Sequence, residues 1–309
     1  MKPQVISVVG PTAVGKSNLG IRIAQRFGGE VISGDSMQIY RTMDIGTAKV
    51  TKEEMQDIPH HMIDVKDPAE PYSVAEFQEN VQALIREIHN RGKLPVLVGG
   101  TGLYIQATLF DFHFSEQKKD PAIMDNLEKE WKKNGRDYMY KRLVEIDPVQ
   151  AEKIHPNNER RVLRALEVYE ATGEVMSDRH HHHQKESPFN PLLIGLEMDR
   201  ELLYERINRR VDQMIEQGLV KEVQNLYEQG LKDAQSMQAI GYKELIPYFE
   251  GSCSLAEAVE LLKRNSRRYA KRQYTYFKNK MEIDWYEISP SNYEEKFETI
   301  LGDLAGKID

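Results

Sequence analysis

Val5-Ile6-Ser7-Val8-Val9 runs directly into Gly10-Pro11-Thr12-Ala13-Val14-Gly15-Lys16-Ser17, and residues 17–27 then place Leu19, Ile23 and Phe27 at i, i+4 and i+8. The first stretch is short and β-branched, which predicts a strand buried on both faces. The last has helical period and stops at Gly28-Gly29. The eight residues between them fit G-x-x-x-x-G-K-[ST] in the strand-to-helix context that the pattern requires. Glycines let consecutive amides turn toward a phosphate, the helix N-terminus adds partial positive charge, Lys16 adds a full one, and Ser17 offers a hydroxyl to Mg²⁺. Gly10, Thr12, Ala13, Val14, Gly15, Lys16 and Ser17 are therefore predicted to bind phosphates. The motif leaves open whether these belong to a nucleotide such as ATP or to another ligand.

Working outward, Val31-Ile32-Ser33 resumes strand character and ends at Gly34-Asp35-Ser36, completing a βαβ unit. Ser73 and Glu76 form a capping box ahead of a helix with Phe77, Val81, Leu84 and Ile88 on its apolar face, ended by Gly92. Leu94-Pro95-Val96-Leu97-Val98 is a third buried strand, closing on Gly99-Gly100-Thr101-Gly102. This alternation predicts an α/β fold, a P-loop doubly wound parallel sheet flanked by helices. From about residue 111 the character changes. Residues 117–135 are charge-rich and helical, 160–169 form a basic amphipathic helix with Val162, Leu163, Leu166 and Tyr169 inward, and no strand returns before Leu192-Leu193-Ile194-Gly195-Leu196. The expected organisation is a core domain of residues 1–112 and 192–309 with a helical insertion domain at 113–191. Helices over 199–217 and 255–280 and a last strand at 285–288 complete the core.

Composition narrows the partners. The 309 residues carry a net charge of −7 with 40% hydrophobic and 29% charged residues, an ordinary globular balance that excludes an all-round basic shell but not a local basic stripe. The single cysteine, Cys253, excludes an intrachain disulfide and a Cys-rich zinc site. With no apolar leader and no run of ~18 apolar residues, the expectation is a cytoplasmic protein with no membrane segment.

Two side chains stand at the carboxyl edge of the predicted sheet, where doubly wound folds bind ligands. Asp35 follows the second strand. It reads as a Walker-B-like metal ligand, as a base acting on an acceptor held opposite the phosphate, or as a plain turn aspartate; at its ordinary pKa of about 3.9 it is ionised at neutral pH. Ser36, Met37, Gln38 and Tyr40 favour the acceptor reading, and Gln38 is the expected reader of a base edge. Thr101 follows the third strand, where its hydroxyl can donate to a phosphate; no acid follows that strand, which weakens simple ATP hydrolysis. Arg206, Arg209 and Arg210 share a helix whose other side carries Leu203, Ile207, Val211 and Met214, and one of the three guanidiniums is expected to reach the phosphates.

Residues 261–280 hold eight lysines and arginines and no acid. Lys263, Arg264, Arg267, Arg268, Lys271 and Arg272 fall on one helical stripe, and such one-signed asymmetry points to a polyanion. Arg160, Arg161 and Arg164 make a second basic cluster. The histidine run 180–183 reads as a variable loop, and His60-His61 as structural.

These residues resemble the tRNA dimethylallyltransferases. The resemblance rests on an ordered set covering most of the chain: GPTAVGKS at 10–17, GDSMQIYRTMDIGTAK at 34–49, PHHMIDVKDP at 59–68, YSVAEF at 72–77, LVGGTGLY at 97–104, IHPNNERRVLRALEVYEATG at 154–173 and QAIGYKEL at 238–245. It implies that the P-loop holds the diphosphate of dimethylallyl diphosphate with Mg²⁺ at Ser17, and that ATP is not consumed. It further implies that Asp35 is the general base for adenosine 37 of tRNA and that Thr101 and Arg210 serve the diphosphate side. The tRNA anticodon stem-loop is then expected to meet Asp35, Ser36, Met37, Gln38, Thr101, Glu159, Arg160, Arg161, Val162, Leu163, Gln238, Gly241, Tyr242, Lys243, Arg264, Arg268 and Arg272. No protein partner is implied, and a monomer is expected. Two departures stand out: Met124 where relatives often place a basic residue, and residues 180–183, which match no family motif. The rival readings are a P-loop small-molecule or nucleotide kinase, and an RNA-binding module with a vestigial P-loop.

Overall fold

In the computed structural model, which describes residues 2–112, 121–179 and 186–308, the chain divides into two compact units, Met1–Phe110 with Ser187–Asp309, and Asp111–Glu186. The first contains β1 (Gln4–Val9), α1 (Lys16–Phe27), β2 (Gly29–Ser33), β3 (His60–His61), α2 (Val74–Asn90), β4 (Leu94–Gly99) and α3 (Gly102–Phe110). The second contains α4 (Pro121–Ile146), α5 (Pro148–Ala151), α6 (Glu159–Thr172) and α7 (Met176–Arg179). The first resumes with β5 (Asn190–Glu197), α8 (Arg200–Glu216), α9 (Leu219–Glu228), α10 (Ile246–Phe249), α11 (Leu255–Lys280), β6 (Asp284–Glu287) and α12 (Tyr293–Ala305).

The six strands form one sheet in the order β3-β2-β4-β1-β5-β6, every pairing parallel. Its strands alternate between two cores. Val5, Val9, Ile32 and Leu97 enter one with helices α2, α3, α9 and α11; Ile6, Val8, Val31, Val96, Val98 and Ile194 enter the other with α1, α8 and α12. Burial on both faces is what makes these strands continuous apolar runs, and each fully buried aliphatic side chain contributes about 1.5–3 kcal/mol. Since β1 lies between β4 and β5, the loops after β1, β2 and β4 gather at one sheet edge, the crevice where such folds place ligands.

His60-His61 is structural as expected and forms an edge strand, with His61 Nε2 2.7 Å from Glu30 Oε2. Other expectations are corrected. The main unit takes the chain back at Ser187, earlier than residue 192, because Phe189 is buried in its core and Asn190 N–H donates to Pro3 O at 2.8 Å. Gly135 does not end its helix: it makes a kink at φ 80° within α4, which continues to Ile146. The helical unit packs Leu127, Met139, Leu143, Val162, Leu163 and Leu166 into its own core, with Met124 against it. Tyr169, expected inward, is exposed. The 180–183 histidine run lies outside the described residues. Among the described residues no helix is long and apolar enough to cross a membrane.

Candidate active site

The P-loop backbone takes its shape from three residues in the left-handed region, Gly10 (φ 143°), Ala13 (φ 64°) and Gly15 (φ 110°). A Cβ on Gly10 would lie 2.5 Å from Leu196 O, and one on Gly15 would lie 2.7 Å from the Tyr293 hydroxyl, so both positions exclude any side chain. Ala13 accepts the strain of roughly 1–2 kcal/mol that a non-glycine incurs there. Gly15 N-caps α1 without a side-chain hydrogen bond. The first amides of that helix therefore face the P-loop unsatisfied, which is the electrostatic basis of anion binding.

A cavity of about 1080 Å³ opens at this edge of the sheet, lined by Thr12, Ala13, Gly15, Lys16 and Ser17 on one side and by Asp35, Gln38, Thr47 and Ala48 on another. Lys16 Nζ donates to Pro11 O at 2.7 Å. Burial and the Arg210 charge push its pKa down to about 7, against the pull of Asp35. Asp35 Oδ1 accepts the Met37 N–H at 2.8 Å. The expectation of an ordinary aspartate is corrected here: burial raises the Asp35 pKa, opposed by the amides of Met37 and Gln38 and by the charges of Lys16 and Arg210. A raised carboxylate is a stronger proton acceptor.

Arg206, Arg209 and Arg210, of which one guanidinium was expected to reach the phosphates, all line the cavity. Positions i, i+3 and i+4 share a helix face, and α8 turns that face to the P-loop while Leu203, Ile207 and Val211 are buried behind it. Arg206 Nε donates to Ala13 O at 3.0 Å, and Arg210 Nη1 to Thr12 Oγ1 at 3.4 Å. Thr101 Oγ1 accepts the Ser36 N–H at 3.2 Å and donates to Ser36 Oγ at 3.5 Å, and Thr101 also bonds Tyr269, whose hydroxyl burial and the Asp35 charge push up to about 12. Gln38 is tied to its neighbours: Oε1 accepts from Ser33 Oγ at 2.8 Å, and Nε2 donates to Thr47 O at 3.2 Å and Ala48 O at 3.3 Å.

The expected RNA-facing residues separate by burial. Glu159, Arg160 and Arg161 on α6, Gln238, Lys243, and Arg264, Arg268 and Arg272 on α11 are exposed; Ser36 and Met37 are half-buried. Val162 and Leu163 are core residues of the helical unit, and Tyr242 is fully buried, so none of the three can touch RNA as placed. Gly241 is also buried, its N–H donating to Glu244 Oε2 at 2.8 Å. These residues serve the packing of their segments. The basic stripe also divides. Lys263 pairs with Asp212 at 2.7 Å and Arg267 Nη1 donates to Asn208 Oδ1 at 2.5 Å, both turned to α8, which leaves Arg264, Arg268, Lys271 and Arg272 exposed.

Gln273 and Tyr269 on α11, and Tyr293 on α12, line the cavity and stand outside the expected set. Gln273 sits on the buried face of its helix with Leu262, Ala270 and Phe277, so a lone amide at an apolar spacing amid cations is the signal that marks it. Among the described residues no group of three or more His, Cys, Asp or Glu side chains could hold a metal ion.

The chain matches the family model described as IPP transferase over residues 38–280. It is 56% identical to a tRNA dimethylallyltransferase of Oceanobacillus iheyensis over 306 residues, 99% of this chain and 98% of that one. It is 54% identical to one of Bacillus pumilus over 99% of this chain and 97% of the relative. Among solved structures it resembles a tRNA isopentenylpyrophosphate transferase from Bacillus halodurans with TM-score 0.76 and 50% identity, covering 99% of this chain and 97% of the other. It also resembles a eukaryotic dimethylallyltransferase acting on tRNA, with TM-score 0.84 and 34% identity, over 98% of this chain and 80% of that one.

Proposed function

The chain belongs to the IPP transferase family, and from that premise we propose that it transfers a dimethylallyl group from dimethylallyl diphosphate to N6 of adenosine 37 in the tRNA anticodon loop. It is a tRNA-modifying transferase; nothing in the similar proteins favours the kinase alternative. The observation that carries the reading is that the P-loop and Asp35 line one cavity, so an anionic donor and a nucleophile needing deprotonation can share it.

Adenine N6 is a poor nucleophile because its lone pair is delocalised into the ring, so its proton must leave as the bond to carbon forms. Asp35, with a carboxylate held by the Met37 amide and made more basic by burial, accepts that proton. As the N6–C bond forms, the allylic C–O bond breaks, positive charge builds on the dimethylallyl carbon, and the electron pair leaves with diphosphate. Lys16, the amides at the start of α1, and Arg210 neutralise the departing charge. The donor set fits a Mg²⁺ carried in by the diphosphate: Ser17 is exposed in the first turn of α1 at the cavity, and Mg²⁺ keeps substrate phosphates and water as its other ligands. Bound there, the ion would add charge stabilisation to the leaving group.

An anticodon-loop base is single-stranded, so turning it into the cavity costs only a few kcal/mol. The exposed cations Arg160 and Arg161 of the helical unit and Arg264, Arg268 and Arg272 of the main unit are offered to tRNA phosphates, giving binding that weakens with salt. The chain is proposed to act as a monomer, in the cytoplasm where its tRNA substrate is found. Incubating tRNA with dimethylallyl diphosphate and Mg²⁺ but no nucleoside triphosphate tests the function. Mass analysis should then find one five-carbon unit on an adenosine; unchanged tRNA from folded protein would refute it.

A further inference from the structure

One carboxylate away from the cavity organises part of its wall. Glu222, in the first turn of α9, accepts the backbone N–H groups of three consecutive residues: Asp44 and Ile45, both at 2.9 Å on Oε2, and Gly46 at 3.0 Å on Oε1. Its Oε1 also accepts the Tyr242 hydroxyl at 2.5 Å. Three successive amides converging on one point form an anion-binding nest, and here the anion is the protein's own. The Tyr242 ring closes the arrangement against Gly46, where a Cβ would come within 2.4 Å of Tyr242 Cε2. Four donors from two segments thus depend on one side chain, and charge-assisted bonds of this kind are roughly twice as strong as neutral ones.

The segment so held leads to the cavity. It turns back on itself through Ala48 N–H to Ile45 O and Lys49 N–H to Asp44 O, each 2.9 Å. Its far end carries the Thr47 and Ala48 carbonyls that accept from Gln38 Nε2, and Thr47, Ala48, Gln38 and Asp35 all line the cavity while Glu222 does not. Lys49 pins the exit with bonds to Tyr40 O at 2.8 Å and to Asp44 and Asp64 at 2.6 Å.

We infer that Glu222, seated by Tyr242, is a positioning residue for the acceptor side of the cavity, setting the Thr47–Ala48 wall and through it Gln38 beside Asp35. This rests on the proposed transfer to tRNA and deepens it. Two readouts test it, one of them independent of activity. In hydrogen exchange, Glu222→Ala should free the amides of residues 44–46 and carry the loss of protection into 47–49 and 36–38; exchange confined to 44–46 overturns the inference whatever the activity. In kinetics, Glu222→Ala should raise KM for tRNA or lower kcat by about tenfold or more, as displaced positioning groups do. Calorimetric binding of inorganic diphosphate should stay within about twofold of the parent value. Tyr242→Phe, which removes one of the four donors, and Glu222→Gln, which keeps an acceptor oxygen, should fall between parent and Glu222→Ala. Unchanged tRNA parameters in a folded Glu222→Ala protein, or diphosphate binding lost in equal measure, would overturn the inference. A parent protein that transfers nothing would overturn the proposed reaction instead, with the exchange result still deciding the wall.

Discussion

Gln273 holds the P-loop from behind: its Oε1 accepts the backbone N–H of Thr12 at 2.8 Å, while its Nε2 donates to Gly100 O at 3.0 Å. One buried side chain thereby joins the loops that follow β1 and β4. The fit requires glycine at residue 100, where a Cβ would lie 2.1 Å from Gln273 Nε2. Cutting both bonds leaves a buried donor and acceptor unmatched, at about 1–3 kcal/mol for each group. Gln273→Ala should therefore weaken inorganic diphosphate binding by about tenfold or more, measured by calorimetry on protein whose circular dichroism matches the parent. Unaltered or tighter binding would show that the P-loop keeps its shape without this brace.

Asp35→Asn should lower kcat by about 10²–10⁴, the usual contribution of a positioned acid or base. The asparagine oxygen can still accept the Met37 N–H that Asp35 Oδ1 accepts now, so tRNA affinity in a filter-binding assay should stay near the parent value. Asp35→Ala should likewise lose turnover while keeping tRNA binding. Equal loss of both would remove Asp35 from the role of base.

Lys16 supplies a pH signature. Its pKa in the ligand-free protein is pushed down to about 7 by burial and Arg210, and a bound anion opposes that shift by favouring the charged form. The sign follows: well below pH 7 the lysine is already charged and binding moves no proton onto it, whereas near pH 8 it is largely neutral and binding takes one up. Diphosphate affinity should fall as pH rises through about 7. Calorimetry at pH 8 in buffers of different ionisation enthalpy should register proton uptake, and a buffer-independent enthalpy would contradict the assignment.

The basic helix offers a contrast within one turn. Arg264 and Arg268 are exposed, whereas Lys263 is tied to Asp212 at 2.7 Å. Arg264→Ala and Arg268→Ala should each weaken tRNA binding and reduce the salt-dependence slope by roughly one phosphate contact. Lys263→Ala should leave that slope unchanged. If Lys263→Ala flattens it as much as Arg264→Ala does, the division of the stripe into bridged and free cations is wrong.

What the sequence determined by itself is local. A β-branched run, a glycine-rich turn and a helix of 3.6 period fix the P-loop because each is dictated by residues within a few positions of one another, and the capping box of Ser73 with Glu76 formed as predicted for the same reason. Asp35 and Thr101 were legible at the ligand edge because parallel strands end there by topology. Tertiary structure alone decided which faces of α8 and α11 turn inward. On those faces lie the cavity-lining arginines, the paired Lys263 and Gln273, which meets Thr12 across 261 positions of chain, and packing likewise buries Tyr242, in the turn before α10, which a motif had suggested for RNA. Periodicity identifies a helix face, but its burial depends on what packs against it, and the shift of Asp35 and Lys16 from their ordinary pKa values depends on water excluded by residues far away in sequence.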